Sequence, residues 1–258
     1  MNPILYHGAP NGPSFTALAA LIETGVDADL RPIDLAAGAR HAAGMPRATE
    51  VAMSIEGEGP VLVVDGVAMA DSVFIACYLD DVGHAPIRPR DPYARWEMMA
   101  WCRYVVERIA PAASLLGTRA FLHDRLRALS DGEFAALLRS IESHDLRARW
   151  EAARNDEADA AAMAASRDRI AAGVARLEQT LGDREWLIGE FSIADLESYA
   201  WLAGMVSLVP GAFDPAPQVA RWLARMQARP AVAAALALAG EVDPSTIWAP
   251  GPEISRWG

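Results

Sequence analysis

The sequence predicts an α+β domain followed by an all-α domain. Three observations support this architecture: strand and helix patterns alternate over the first eighty residues, a segment rich in proline and glycine follows, and apolar residues then recur at helical spacing. The length of 258 residues is enough for two domains. We expect the first domain at residues 1–82, a linker at 83–92, and a helical domain with an irregular tail at 93–258.

The first domain is predicted to have the order β-α-β-(α)-β-β-α. A short apolar run ends at Tyr6, and a dense turn signal separates it from a helix over 14–23. Alternating apolar and polar residues predict a second strand over 26–35. The remaining expected elements are a loose, weakly helical connection over 36–58, a hairpin over 60–69 and a helix that starts at Asp71.

The second domain is predicted to be helical throughout. A long amphipathic helix begins near Trp96 and is expected to break near Gly117. Residues 124–181 are rich in charge and alanine, with apolar residues at helical spacing. Ser192 and Asp195 form a variant capping box that marks a helix start. Further helices are expected over 221–228 and 230–239, before a tail without periodicity.

Composition excludes several chemistries. All 23 basic residues are arginine, and the absence of lysine rules out Schiff-base lysines, P-loops, kinase sites and Ser-x-x-Lys acylation sites. The net charge of −11 argues against a broad surface for nucleic acid or an anionic membrane. The five histidines lack metal-ligand spacing, so no metal site is predicted.

The same composition predicts a cytoplasmic protein. Cys77 and Cys102 are too few for a disulfide framework, and no signal-peptide pattern opens the sequence. The longest strongly apolar stretch, 231–239, is too short to cross a bilayer. We therefore expect no nucleic-acid or membrane partner.

Four features in this order resemble the cytosolic glutathione transferase family. They are Tyr6 with the turn into the first helix, the segment Gly57-Glu58-Gly59-Pro60-Val61-Leu62, the pair Asp71-Ser72, and Ser192-x-x-Asp195. The resemblance implies a thioredoxin-like first domain, glutathione as cosubstrate, a cis peptide bond before Pro60, and a homodimer in which the first domain meets the partner's helical domain.

The resemblance implies a glutathione site around Gly59, Pro60, Val61, Asp71 and Ser72. An extended strand entered through a cis proline would offer the backbone of Val61 to a peptide-like ligand. The hydroxyl and helix N-terminus at Ser72 suit a carboxylate, and Asp71 suits an ammonium group. Taken alone, Asp71-Ser72 is also an ordinary N-cap and Pro60 an ordinary strand-entry proline.

Two residues in the first turn are candidates to activate the glutathione thiol. A hydrogen bond from this turn would lower the pKa of the thiol. We rank Asn11 slightly above Ser14, although Asn11 is equally explained as a turn residue before Gly12. Tyr6 is more readily explained as a core aromatic. The turn contains no cysteine, so covalent thiol exchange through an enzyme cysteine there is not expected.

Segments of the second domain narrow the resemblance to the bacterial glutathione-dependent lignin β-aryl etherases. These segments are 87–95 and 129–134. The implied chemistry is attack of glutathione thiolate on the carbon β to an aromatic ketone, with a phenolate leaving. Trp101, Tyr104 and Trp248 are candidates to line the aromatic pocket, and core packing is the alternative for each.

The absence of lysine raises a question about the glycine carboxylate of glutathione. Related enzymes often meet this carboxylate with lysine, whereas Glu58 stands near that place here. We expect Arg40, His41 or Arg47 to balance the charge, because arginine grips a carboxylate in a bidentate manner. Two other functions remain open: a glutathione-dependent disulfide reductase or peroxidase resembling the Nu class, and a non-catalytic glutathione-binding protein.

Overall fold

The computed structural model describes residues 2–46, 58–157 and 159–251. Its first part is a mixed four-stranded sheet in the order β2-β1-β3-β4. The strands are β1 (Ile4–His7), β2 (Asp29–Pro32), β3 (Val61–Val64) and β4 (Val67–Met69). β1 runs parallel to β2 and antiparallel to β3, and β3 forms the predicted hairpin with β4. The α+β first domain predicted from the sequence is therefore confirmed.

Two helices lie on this sheet. α1 (Gly12–Thr24) starts at the Asn11 N-cap and ends at Gly25, whose φ of +69° makes it a left-handed C-cap. α2 (Ser72–Val82) packs against α1, and both bury apolar residues in the main core. The second strand is shorter than predicted, and the connection after it forms two 3₁₀ turns, Leu35–Ala37 and Ala39–His41.

Pro60 enters β3 without the expected cis bond. The described residues contain no cis peptide bond, so the bond between Gly59 and Pro60 is trans, and the expectation taken from the family resemblance is wrong. Val61 pairs with Tyr6 of β1 on one side. The ladder with β4 stops one residue short of Val61, at the pair Leu62–Met69.

The second part is helical, and its first helix is longer than predicted. α3 (Pro92–Tyr104), α4 (Ala110–Gly117) and α5 (His123–Arg127) follow one another through two π-helical turns, Val105–Ile109 and Thr118–Leu122. The break predicted at Gly117 is therefore wrong, because Gly117 keeps helical dihedral angles (φ −66°, ψ −40°).

The remaining helices complete the all-α part. They are α6 (Asp131–Ser140), α7 (His144–Asn155), α8 (Ala160–Leu181), α9 (Ile193–Leu202), α10 (Met205–Leu208), α11 (Pro210–Phe213), α12 (Pro217–Ala228) and α13 (Pro230–Ala237). α9 is buried along its whole length and contacts α1 and α2, so one core spans the sheet-bearing and helical parts. No helix among the described residues is long and apolar enough to cross a membrane.

Candidate functional site

The turn between β1 and α1 is tied to the C-terminal tail. The Asn11 side chain accepts the Gly12 N–H through Oδ1 at 2.8 Å, and its Nδ2 donates to the Ile247 carbonyl at 2.6 Å. A Cβ placed on Gly12 would approach the Ala249 Cβ to 2.6 Å. Residues 247–251, the tail segment, therefore contact this turn through Ile247 and Ala249. The Asn11 amide thus uses its oxygen and one of its two N–H groups.

Ser14 lies in the first turn of α1 and is 1% exposed. Its Oγ accepts the Gly8 N–H at 2.9 Å. A hydroxyl that accepts one hydrogen bond still carries a proton to donate, and no hydrogen bond among the described residues uses that proton. Ser14 thus keeps a donor in the turn where the sequence predicts thiol activation.

The loop before β3 packs beside this turn. A Cβ placed on Gly59 would lie 3.4 Å from the Pro13 side chain. Pro60 and Val61 are buried next to it. The structure therefore brings the predicted residues Gly59, Pro60 and Val61 close to the start of α1.

Asp71 adopts a strained backbone at the start of α2. Its φ is +71°, which is rare for a residue with a side chain. Its carboxylate accepts the N–H groups of Val73 and Phe74, at 2.9 and 3.1 Å. Such outliers persist where the surrounding structure enforces them, often at ligand sites. Ser72, the next residue, is buried.

Sequence reasoning missed Glu197, a buried carboxyl group on α9. It accepts hydrogen bonds from Thr16 of α1 at 2.8 Å, from Ser72 of α2 at 3.1 Å and from the Trp201 indole at 2.9 Å. Burial raises its pKa from 4.5 to about 7. The one sequence signal that could have identified Glu197 is that it is a single acid in the apolar sequence after the capping box. Glu197 therefore links the helical part to both helices that carry predicted glutathione residues.

Asp195, two residues earlier, has a local role. Its carboxyl group accepts from the Ser192 N–H at 3.0 Å, the Leu187 N–H at 3.1 Å and the Trp222 indole at 2.9 Å. Burial raises its pKa from 3.8 to about 6, against the effect of these hydrogen bonds. The capping box predicted at Ser192 and Asp195 is confirmed.

Glu58 turns toward the helical part of the protein. Its Oε1 accepts from the Trp150 indole at 2.5 Å and lies 3.5 Å from His41 Nε2. The predicted carboxylate partners Arg40 and His41 are both 6% exposed, and Arg40 Nη1 donates to the Pro46 carbonyl at 3.0 Å. Arg47 lies outside the described residues.

A cavity of about 470 Å³ opens beside Glu58. Its apolar wall is formed by Leu115, Leu122, Trp150, Ala153 and Trp248. The Trp248 indole donates to Thr118 Oγ1 at 2.9 Å, and its ring meets that of Trp150 edge-on with centroids 5.7 Å apart. The polar lining residues include Glu58, Arg119, Arg149 and Asp156. The predicted residue Trp248 thus lines an aromatic cavity.

The other predicted aromatic residues lie elsewhere. Trp101 donates to Ser198 Oγ at 2.7 Å, and the Arg176 guanidinium lies over the rings of Trp101 and Tyr104. Neither ring is among those that line the cavity. Tyr6 is half-buried outside the apolar core, and its hydroxyl accepts from Arg31 at 3.2 Å. The interpretation of Tyr6 as a core aromatic is therefore corrected.

Comparison with known proteins supports the resemblance to glutathione transferases that the sequence indicates. Residues 133–230 match the family model described as "Glutathione S-transferase, C-terminal domain". Over 88% of the chain the sequence is 28% identical to Protein LigF of Sphingobium sp. (strain NBRC 103272 / SYK-6), covering 90% of that protein. The crystal structure of β-etherase LigF from Sphingobium sp. strain SYK-6 superposes with a TM-score of 0.82 at 26% identity, over 91% of this chain and 98% of that one.

More distant structures share the fold. A glutathione transferase from Pseudomonas putida, crystallised with glutathione disulfide, matches with a TM-score of 0.67 at 19% identity over 93% of this chain and 92% of that chain. Glutathione transferase F7 from Populus trichocarpa matches with a TM-score of 0.64 at 21% identity, over 91% of this chain and 99% of that chain. The predicted resemblance to glutathione transferases and β-etherases is confirmed, and the chain has the glutathione transferase architecture.

Proposed function

We propose that this protein is a glutathione transferase that acts on aromatic substrates, and most specifically that it cleaves β-aryl ethers of the kind derived from lignin. One observation carries the proposal. The tail joins the turn that holds Ser14 to the aromatic cavity, because Ile247 is bonded to Asn11 and the next residue, Trp248, lines that cavity. A thiol held at the turn would thus adjoin an apolar space for an aromatic ring.

The residues near this turn fit glutathione. The strained Asp71 and the buried Ser72 at the α2 N-terminus suit the charged γ-glutamyl end. Gly59, Pro60 and Val61 lie against the start of α1, and the β4 ladder ends before Val61. An extended ligand backbone along this edge would follow the strand-addition mode of peptide binding.

Thiol activation is assigned to Ser14 ahead of Asn11, which reverses the order inferred from the sequence. Bonds to Gly12 and Ile247 fix the orientation of the Asn11 amide, which keeps one N–H, whereas the Ser14 hydroxyl keeps its proton in the first turn of α1. A hydrogen bond to sulfur, together with the positive end of α1, lowers the pKa of the thiol and increases the thiolate fraction.

The reaction proposed for an aryl ketone with a β-aryl ether is a displacement. The thiolate electron pair forms a C–S bond at the carbon β to the aryl ring, the C–O bond breaks, and its electron pair leaves on the phenolate. The phenolate takes its proton from solvent, so general acid catalysis is not required. The negative charge of the thiolate is carried away by the phenolate, so the step needs no oxidant or reductant.

Which residue offsets the negative charge of the glycine carboxylate of glutathione is a separate proposal. We keep Arg40, His41 and Arg47 as its candidate partners. The first two lie in the turn before the loop of Glu58, and His41 Nε2 lies 3.5 Å from Glu58 Oε1. Neutralising each in turn should raise the KM for glutathione if it meets the carboxylate. An unchanged KM for all three would leave the carboxylate in solvent.

A homodimer and a cytoplasmic location complete the proposal. Three exposed aromatic rings support dimerisation: Phe74 on α2 and Tyr93 and Trp96 on α3 are 61%, 65% and 61% exposed. A dimer should give twice the chain mass in light scattering, and Phe74→Glu with Trp96→Glu should give the monomer. The cytoplasmic proposal follows from the use of reduced glutathione, and cell fractionation tests it.

Two assays test the function itself. Retention on glutathione resin tests binding, and a guaiacylglycerol-type β-ether ketone tests cleavage with release of the phenol. Hydroxyethyl disulfide tests the disulfide reductase alternative in parallel. A protein that binds glutathione and turns over neither compound would be a non-catalytic binder, and one that is not retained at all contradicts the whole proposal.

A further inference from the structure

Two of the described residues that line the cavity are arginines, and they differ in their pairing with acids. Arg119 pairs with Asp156, with Nε and Oδ1 2.8 Å apart. Arg149, on α7, has its Nη1 atom fully enclosed and without a hydrogen-bond partner among the residues that the structure describes. Buried polar groups are nearly always paired, and Arg149 is one of the residues that line the cavity, so its unpaired donor is a candidate partner for a ligand group there.

The neighbours of Arg149 determine which ligand group fits. The next residue, Trp150, already donates its indole N–H to Glu58 and presents its ring to the cavity. Among the residues that the structure describes, four acids line the cavity, against Arg119 and Arg149. These acids are Glu58, Asp156, Glu157 and Asp159. A ligand carboxylate would therefore meet excess negative charge, whereas a neutral oxygen would accept from Arg149 without that repulsion.

We propose that Arg149 is a specificity-determining residue that donates a hydrogen bond, through Nη1, to an uncharged hydroxyl or ether oxygen on the ring of an aromatic ligand that packs against Trp150 and Trp248. This inference rests on the proposed function, because it assigns the cavity to the aromatic substrate. It adds a selection rule: oxygenated neutral aromatics bind, and their deoxygenated or carboxylated analogues are disfavoured.

The rule is tested with three matched ligands and two variants. The ligands are an oxygenated aryl ketone β-ether, the same compound without ring oxygens, and the same compound with a ring carboxylate. The variants are Arg149→Met and Arg147→Met. Arg147 lies on the same helix, bonds to the carbonyls of Ile141 and Glu142, and does not line the cavity. Binding is followed by quenching of tryptophan fluorescence without glutathione, and turnover with it.

The wild-type protein should bind the oxygenated compound about tenfold more tightly than either analogue, because a hydrogen bond to a charged donor is among the stronger ones. Arg149→Met should remove this preference and raise KM for the oxygenated compound by a similar factor, with the KM for glutathione unchanged. Arg147→Met should keep the preference. Arg149→Met should melt no lower than the wild type, since the enclosed Nη1 has no internal bond to lose.

Two results overturn the inference: equal affinity of the wild type for all three ligands, or retention of the preference in Arg149→Met. The readouts separate this failure from that of the proposed function. If the preference is seen in quenching but no thioether forms, the catalytic proposal fails and the assignment of Arg149 stands. If the thioether forms without the preference, the catalytic proposal stands and the assignment of Arg149 fails.

Discussion

The two sides of the site are built from contacts of very different range along the chain. On the proposed glutathione side, Ser14 bonds to Gly8 and Asp71 bonds to Val73, all within one turn or one helix start. On the cavity side, Trp150 bonds to Glu58 and Trp248 bonds to Thr118, across 92 and 130 positions. The first side is therefore a local motif, whereas the second exists only after the helical part has folded. Asn11 joins the two sides through its bond to Ile247, the neighbour of Trp248.

The largest effect is expected on the glutathione side. Ser14→Ala should lower kcat/KM roughly 100- to 1,000-fold, about 3–4 kcal/mol of transition-state stabilisation, since the thiol loses the donor that favours the thiolate. The ultraviolet absorbance of the bound thiolate should fall at neutral pH and recover as the pH rises. A Ser14→Ala enzyme with unchanged turnover and absorbance would show that another residue activates the thiol.

The buried carboxyl of Glu197 should give the protein a pH-dependent stability. Its pKa is about 7 in the fold and near 4.5 when unfolded, so the folded state holds a proton that the unfolded state loses. The stability from this group is complete below pH 4.5 and is lost as the pH rises to 7. At about 1.4 kcal/mol per unit, the loss is roughly 3 kcal/mol.

Glu197→Gln removes that titration while keeping the shape and hydrogen-bonding capacity of the side chain. Its unfolding free energy, measured by urea at pH 5 and pH 8, should differ less between the two values than that of the wild type. Asp195, whose pKa is raised to about 6, contributes in the same direction between pH 3.8 and 6 and remains in both proteins. Parallel pH profiles for variant and wild type would refute the role of Glu197.

A smaller effect is expected on the cavity side. Trp248→Ala should raise the KM for the aromatic substrate roughly tenfold, because the ring that packs edge-on against Trp150 is lost. The KM for glutathione should stay the same. Trp248→Phe should recover most of the affinity, and Trp101→Phe should change little, since Trp101 packs beneath Arg176 and does not line the cavity. The opposite ranking would move the substrate from the cavity to the surroundings of Trp101 on α3.

The smallest effect is expected at the residue that ties the tail to the turn. Asn11→Ala removes the hydrogen bond to Ile247 and should lower kcat/KM roughly threefold, as expected for one neutral hydrogen bond. Amide hydrogen exchange in the tail segment should become faster. A loss as large as that of Ser14→Ala would restore Asn11 as the residue that activates the thiol.

The sequence predicted the sheet, the hairpin and the capping box because each depends on local patterns, such as the Asp65-Gly66 turn and the Ser192-Asp195 spacing. The predictions were wrong where contacts between distant parts of the chain determine the local structure or the position of a side chain. Gly117 continues a helix that packing supports, and Trp101 and Trp248 look equivalent in sequence although only Trp248 lines the cavity. Glu197 was missed since its three donors come from two other helices and the next turn of its own.

The most direct test of the account is the product formed when both sides act together. Incubation with glutathione and an oxygenated β-aryl ether ketone, followed by mass spectrometry, should give equal amounts of glutathione thioether and free phenol. Trp248→Ala should lower the rate at limiting ketone, and Ser14→Ala should lower it at all concentrations. Release of phenol without thioether, or thioether formation that neither substitution slows, would contradict the assignment of one continuous site.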